Sequence, residues 1–257
     1  MKKYLYQRLI ELTNGAFTSS LIRQFASSPK SGKFIPSYIK TYQIETTDII
    51  QSVESFPTLH DFFVRKLTVE SRQVALSTII SPVDGKVEIA GDVQKDSQFL
   101  VKGQQYSLAD LLGEKKMADR YEGGKYAVLY LSPADYHRIH SPATGNVTKQ
   151  YVLGKKSYPV NAVGLHYGKT PISGNYRMIT ELETEFGKML VVKVGAMFVN
   201  SIKLTETGSV WVKGREVGYF SFGSTVVLFF EKDCIEFVED VSNRQQIKMG
   251  EALGNMV

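Results

Sequence analysis

Ser224-Thr225-Val226-Val227-Leu228-Phe229-Phe230 opens with two hydroxyl side chains and continues through five apolar ones, β-branched and aromatic among them. A run of that composition is too short for a helix and reads as a β-strand. The same texture recurs in Gly85–Ile89, Lys125–Leu131 and Lys188–Leu204, rich in Val, Ile, Tyr and Phe and bounded by Gly, Pro or Asn. These segments predict an α+β protein that is mainly β. A β-rich body is expected over residues 68–257, preceded by a helical N-terminal region over residues 1–67.

The chain has 257 residues, 43% hydrophobic and 22% charged, which suits one globular unit or one domain with an appendage. Disorder, collagen and a disulfide scaffold are excluded. A single cysteine, Cys234, can form neither an intrachain bridge nor a multi-cysteine metal site, so the chain is compatible with a reducing compartment. The longest apolar run falls well short of the roughly 20 residues that span a bilayer. Gln7, Arg8 and Glu11 interrupt any signal-peptide core behind Met1-Lys2-Lys3, so the N-terminus is expected to be kept.

The formal charge of +5 is unevenly distributed: residues 1–40 hold seven basic side chains and one acidic, and the rest of the chain balances to −1. Leu5, Leu9 and Leu12, then Phe17, Leu21, Ile22 and Phe25, recur at helical spacing, giving two short basic amphipathic helices. Such helices suit the headgroup layer of an anionic membrane, or pack on the protein's own core. No basic stripe or motif in the body points to nucleic acid. A linker is expected near residues 27–37, a helix over 48–55, another capped by Thr58, and a short one from Leu108 to Met117.

Ser81-Pro82-Val83-Asp84-Gly85-Lys86-Val87 is echoed by Ser141-Pro142-Ala143-Thr144-Gly145-Asn146-Val147. Both read as a turn entering a strand, consistent with two similar β-lobes. The first copy carries Asp84 where the second carries uncharged Thr144.

Two of the four histidines fall in Tyr136-His137-Arg138-Ile139-His140, a window flanked by Ser132-Pro133 and Ser141-Pro142. Histidine exchanges protons near neutral pH, which makes His137 and His140 acid/base candidates. Two histidines can also share a zinc ion, although neither His60 nor His166 sits in a metal motif. Gly223-Ser224 is ordinarily a tight turn, but Ser224 can act as a nucleophile if a histidine and a carboxylate reach it. Asp84, a loop histidine and Ser224 supply those residue types.

Five stretches resemble the pyruvoyl-dependent phosphatidylserine decarboxylases when taken in order: Phe62-Phe63-Val64-Arg65-Lys66-Leu67, Ser81–Val87, Tyr136–Pro142, Tyr158-Pro159-Val160-Asn161 and Phe222-Gly223-Ser224-Thr225-Val226. The resemblance spans residues 56–231. Phe222 stands where many members have leucine, and Asn175-Tyr176-Arg177 where many have an Asn-Glu-Arg-like segment.

The resemblance implies a proenzyme that cuts itself between Gly223 and Ser224. It places Asp84, His140 and Ser224 in a processing triad, with Asp84 orienting His140 and His140 taking the proton from Ser224 Oγ. Attack on the Gly223 carbonyl, elimination and hydrolysis then turn Ser224 into a pyruvoyl group, the cofactor, with no metal. The resulting chains, 1–223 and 224–257, are expected to stay associated. The pyruvoyl ketone would form a Schiff base with phosphatidylserine, and carbon dioxide and phosphatidylethanolamine would leave, His137 assisting the proton steps. Further expectations are peripheral binding at the cytoplasmic face of the cell membrane and a homodimer. The competing classes are a metal-dependent hydrolase using the His137/His140 loop and a noncatalytic membrane-binding β module.

Overall fold

The computed structural model describes residues 21, 23–101, 103–155, 158, 171–195, 202–221, 224–239, 241 and 246–257. The first expected amphipathic helix and Phe17 of the second lie outside the described residues. Residues 23–26 are helical, with Phe25 half exposed and Ala26 buried.

The helices are α1 (Ile35–Tyr42), α2 (Leu59–Phe63), α3 (Leu108–Leu112), α4 (Lys115–Arg120) and α5 (Pro171–Gly174). The strands before the histidine window are β1 (Ile79–Ile80), β2 (Lys86–Asp92), β3 (Gln98–Val101), β4 (Gln104–Ser107) and β5 (Lys125–Leu131). Next come β6 (Arg138–His140), β7 (Gly145–Leu153), β8 (Arg177–Thr184), β9 (Gly187–Gly195) and β10 (Ile202–Leu204). The last are β11 (Val210–Trp211), β12 (Glu216–Phe220), β13 (Ser224–Phe230), β14 (Ile235–Phe237) and β15 (Ala252–Met256).

The mainly β expectation holds. A seven-stranded antiparallel sheet runs β11-β7-β8-β9-β13-β5-β2. Two three-stranded sheets, β10-β12-β6 and β1-β15-β14, and the β3–β4 pair complete the described strands. In β13, Val226, Leu228 and Phe230 enter one apolar cluster and Val227 and Phe229 another, so both faces are buried. Two-sided burial explains why its sequence is continuously apolar and not alternating. The expected strand Lys188–Leu204 is instead two described strands, β9 and β10, in different sheets.

The repeat has a structural counterpart. Ser81 Oγ donates to Val83 O and Ser141 Oγ to Ala143 O, each at 2.7 Å. The two turns also bond each other, Ile80 N to Pro142 O at 3.0 Å and His140 N to Pro82 O at 2.8 Å. Even the differing position keeps one shared duty: Thr144 Oγ1 accepts from Lys213 N at 3.1 Å, and Asp84 Oδ1 from Met249 N at 2.8 Å. Yet β2 and β7, which follow the two turns, belong to one sheet. The likeness is therefore local, not a pair of separate β-lobes.

Three local expectations are corrected. The stretch read as a linker holds a 3-10 turn, Pro29–Phe34, and the start of α1. Buried Ser31 Oγ donates to Ala26 O at 2.8 Å and accepts from Leu59 N at 2.9 Å, tying that turn to α2. No helix spans 48–55, because Asp48 O, Ile49 and Ile50 N pair with Thr68, Leu67 and Lys66, leaving a 3-10 turn at Val53–Ser55. The helix expected to run to Met117 breaks at Gly113, which adopts φ 69° and ends α3. The Thr58 cap is present, with Asp61 N donating to Thr58 Oγ1 at 3.0 Å.

Candidate active site

Ser224 begins β13 and lies between two strands, opposite Leu131 of β5 and Gly195 of β9. It is fully buried, and its Oγ has no hydrogen-bond partner among the described residues. A buried hydroxyl left unsatisfied costs about 1–3 kcal/mol, which a purely structural serine would avoid. Gly223 lies outside the described residues.

β5 also delivers the histidine window. Asp135 Oδ2 accepts from Ser132 N at 2.6 Å and tightens the turn after Leu131. The chain then re-enters structure as β6, paired to β12 through His140 and Glu216. Three N-terminal contacts hold this loop: Tyr38 OH donates to Pro133 O at 2.9 Å, Arg65 Nη2 to Ala134 O at 2.7 Å, and Arg138 Nε to Val64 O at 2.9 Å.

His137 is fully buried with its ring 3.9 Å from that of Phe63. Its Nδ1 lies 2.8 Å from Asp135 O, so Nδ1 carries the proton and Nε2 is the free acceptor. Nε2 has no partner among the described residues. Burial, reinforced by the Arg65 charge, pushes the His137 pKa down to about 3, so the ring is neutral at physiological pH. His140 is arranged alike: Nδ1 donates to Gly214 O at 2.8 Å and Nε2 accepts from Tyr136 OH at 3.1 Å. Burial holds it below the ordinary histidine value, opposed by the Gly214 carbonyl and the Glu216 and Asp84 charges.

Asp84 is buried and held elsewhere. Its carboxylate accepts from Arg72 Nε at 2.9 Å and Arg72 Nη2 at 2.5 Å, and Arg72 also reaches Asp48 at 3.2 Å. Asp84 and His140 make no hydrogen bond to each other among the described residues. They are linked through shared walls: Tyr136 and Arg72 line both a cavity of about 210 Å³ containing Asp84 and one of about 340 Å³ containing His140.

Several contributors carried no assigned role in the sequence. Arg65 and Tyr136 sat inside resembling motifs, which was the available signal; Arg72 belonged to none. Arg65 is 4% exposed, and its Nε and Nη1 have no partner among the described residues. Asn175, from the segment that departs from the usual pattern, braces the site. Its Nδ2 donates to Tyr158 O and Gly195 O, and its Oδ1 accepts from Tyr158 N, all at 2.8 Å. That anchors Tyr158 to the strand end facing Ser224. His166 and Asn161 lie outside the described residues. Among the described residues no group of three or more His, Cys, Asp or Glu side chains could hold a metal ion.

Buried Ser224, neutral His137 and His140 and the Arg72-paired Asp84 are the groups here that can exchange a proton at a hydroxyl; His140 and Asp84 line two cavities that share Tyr136 and Arg72, and neither lining includes Ser224 or His137. The phosphatidylserine decarboxylase family model matches residues 59–255. A phosphatidylserine decarboxylase proenzyme of Bacillus mycoides (strain KBAB4) is 48% identical over 259 residues, covering 100% of this chain and 99% of the relative. One of Bacillus thuringiensis subsp. konkukian (strain 97-27) is 49% identical over 255 residues, covering 98% and 97%. The Bacillus cereus (strain ATCC 10987 / NRS 248) proenzyme matches equally, at 49% over 255 residues. The chain belongs to the phosphatidylserine decarboxylase family.

Proposed function

We propose that this chain is a self-processing phosphatidylserine decarboxylase that converts the serine headgroup of an anionic lipid to ethanolamine and releases carbon dioxide. The observation that carries the reading is Ser224, a fully buried residue at the head of a central strand whose hydroxyl bonds nothing described. Full-length relatives with the proenzyme name support it.

In the processing step, His140 withdraws the Ser224 proton. Its neutral ring carries a lone pair at Nε2, which takes the proton once Tyr136 OH gives up its bond there, and the charges of Asp84 and Glu216 favour the protonated form that follows. Ser224 Oγ then attacks the Gly223 carbonyl carbon, and the amide nitrogen leaves as the ester forms. Elimination across Cα–Cβ of residue 224 releases the Gly223 carboxylate as the new chain end, and hydrolysis then expels the residue 224 nitrogen as ammonia and leaves the pyruvoyl group.

The residues present fit that group. It would replace the unpaired hydroxyl of Ser224, and His137 Nε2 and Arg65 Nε and Nη1 are likewise without partners among the described residues. When formed, it supplies a carbonyl that takes up the electron pair released as carbon dioxide leaves. His137, neutral and fixed by Phe63 and Asp135 O, offers Nε2 as the acceptor that takes a proton from the substrate's ammonium group and returns it to the substrate carbon in place of the lost carboxylate. Burial around it keeps bulk water from that exchange. We assign residues 1–67 to membrane association. We propose peripheral association with the cytoplasmic face of the membrane on the strength of the basic N-terminal segment.

Denaturing electrophoresis with mass measurement tests the processing. Two chains, 1–223 and 224–257, the shorter lacking a free amine, are expected from the parent and one intact chain from Ser224→Ala. Carbon dioxide release by an uncleaved Ser224→Ala protein would overturn the cofactor's origin.

A further inference from the structure

The cavity of about 340 Å³ that contains His140 and Tyr136 has a rim unlike its floor. Ile50, Val69 and Val74 line it and are exposed at 60%, 85% and 45%. Lys66 lines the same mouth and is exposed, with no ion pair to a described carboxylate. Isolated exposed apolar residues need no explanation, but three around one opening, beside a free cation, form a surface that water solvates poorly.

These residues are held outward by the backbone pairing that displaced the expected 48–55 helix. Ile50 N bonds Lys66 O at 3.2 Å and Thr68 N bonds Asp48 O at 2.8 Å, so Ile50 and Val69 project from two neighbouring, mutually braced segments. Ser71 Oγ closes the second segment on Thr68 O at 2.7 Å. Arg72, just beyond, anchors it to Asp84. The rim is thereby fixed to the same carboxylate that serves the proposed processing step.

We infer that this rim is a second membrane-docking surface, on which Ile50, Val69 and Val74 rest in the acyl boundary and Lys66 contacts the lipid phosphate. The inference rests on the decarboxylase reading and extends the membrane contact beyond residues 1–26 to a rim where Ile50 and Lys66 of the N-terminal region meet Val69 and Val74 of the β body. Charge complementarity selects the occupant: an ammonium at an apolar mouth matches the anionic phosphodiester at the top of the hydrocarbon layer.

The test uses the full chain with two substrates, phosphatidylserine in mixed phosphatidylserine/phosphatidylcholine vesicles and a soluble short-chain phosphatidylserine. Val69→Asp and Ile50→Asp are expected to lower the ratio of vesicle to soluble turnover at least fivefold and to weaken vesicle cosedimentation. Val152→Asp, at an exposed position of β7 away from this mouth, should leave the ratio where it is. Lys66→Glu is expected to raise KM on both substrates more than it lowers kcat, because both carry the phosphate, and Lys66→Arg should restore it. An unchanged ratio in both aspartate variants, with cosedimentation abolished by removing residues 1–26 alone, overturns the inference. Failure of the parent to release carbon dioxide from either substrate would instead remove the decarboxylase reading.

Discussion

At Asp84 the difference between the two turn copies acquires a physical meaning. Thr144 shows what the turn itself requires, one oxygen accepting a backbone N–H, and Asp84 meets that need with Oδ1. The second oxygen and the negative charge are surplus to the turn; they hold Arg72 and raise the affinity of His140 for a proton. Asp84→Asn keeps the acceptor and loses the charge. It is expected to slow self-cleavage, as is His140→Ala, by about 10²–10⁴-fold for the latter, the usual contribution of a general base. His137→Ala should still cleave and decarboxylate poorly. Gel-based cleavage and carbon dioxide release, followed separately, distinguish these outcomes; cleavage by His140→Ala but not by His137→Ala would reverse the two roles. The sequence made both histidines visible, and the Asp84 contrast too. It could not show that Arg72, twelve residues upstream, occupies the carboxylate, because a long-range ion pair leaves no local pattern.

A second buried ionisable group gives a pH test of the core. Lys193, on β9, is fully buried, donates to Thr180 Oγ1 at 2.6 Å and lies 5.0 Å above the Trp211 ring. Burial pushes its pKa down to about 7 from 10.5. Between those values the unfolded chain holds a proton that the folded chain lacks, so stability rises with pH across that window. At pH 7 nearly the whole burial penalty is still felt. Lys193→Met is therefore expected to stabilise the fold at pH 7, by up to about 5 kcal/mol, since each pKa unit between 10.5 and about 7 corresponds to about 1.4 kcal/mol. Thr180 Oγ1 keeps its bond from Gln150 Nε2 at 3.0 Å. Thermal unfolding at pH 7 and pH 10 checks this: the advantage should narrow at the higher pH, and a constant difference would assign it to packing.

At the scale of elements, β13 was legible because burial on both faces left no polar residue in its apolar run. The same fact determines what self-cleavage does to the molecule. Residues 224–230 pair with β5 on one side and β9 on the other, and the segment beyond adds β14 and β15, the latter paired with β1. Cutting before Ser224 severs none of these ladders, and all seven β13 residues stay buried. The two chains are expected to co-purify under native conditions and to separate only in denaturant. Size-exclusion chromatography of the cleaved enzyme with mass detection is the check; recovery of the body without chain 224–257 would contradict this packing. Elements near residues 27–55 were less legible. Their short polar stretches owe their structure to partners far along the chain, Ser31 to Leu59 and Asp48 to Thr68, and periodicity reports only what an element does for itself.

For the whole molecule, the question is how a β-rich body meets a substrate that stays in a bilayer. The net charge of residues 1–40 is +6, against −1 for the remainder, so attraction to an anionic surface acts at one end of the chain. The described part of that region presents Leu21, Phe25 and Phe34 at 48% exposure each, apolar surface with no described core to cover it. Removing residues 1–26 deletes Lys2, Lys3, Arg8 and Arg23 together with Leu21 and Phe25. Turnover on phosphatidylserine vesicles is expected to fall more than turnover on a soluble short-chain analogue. If the basic groups act at the membrane surface, the parent's vesicle activity should also decline between about 0.05 and 0.5 M salt, where the screening length shortens from above 10 Å to a few ångströms. The truncated enzyme should show a flatter salt response, having lost four of the cations that salt screens. Equal loss on both substrates would mean that the segment supports the fold, and an unchanged salt slope would mean that its apolar face alone makes the contact.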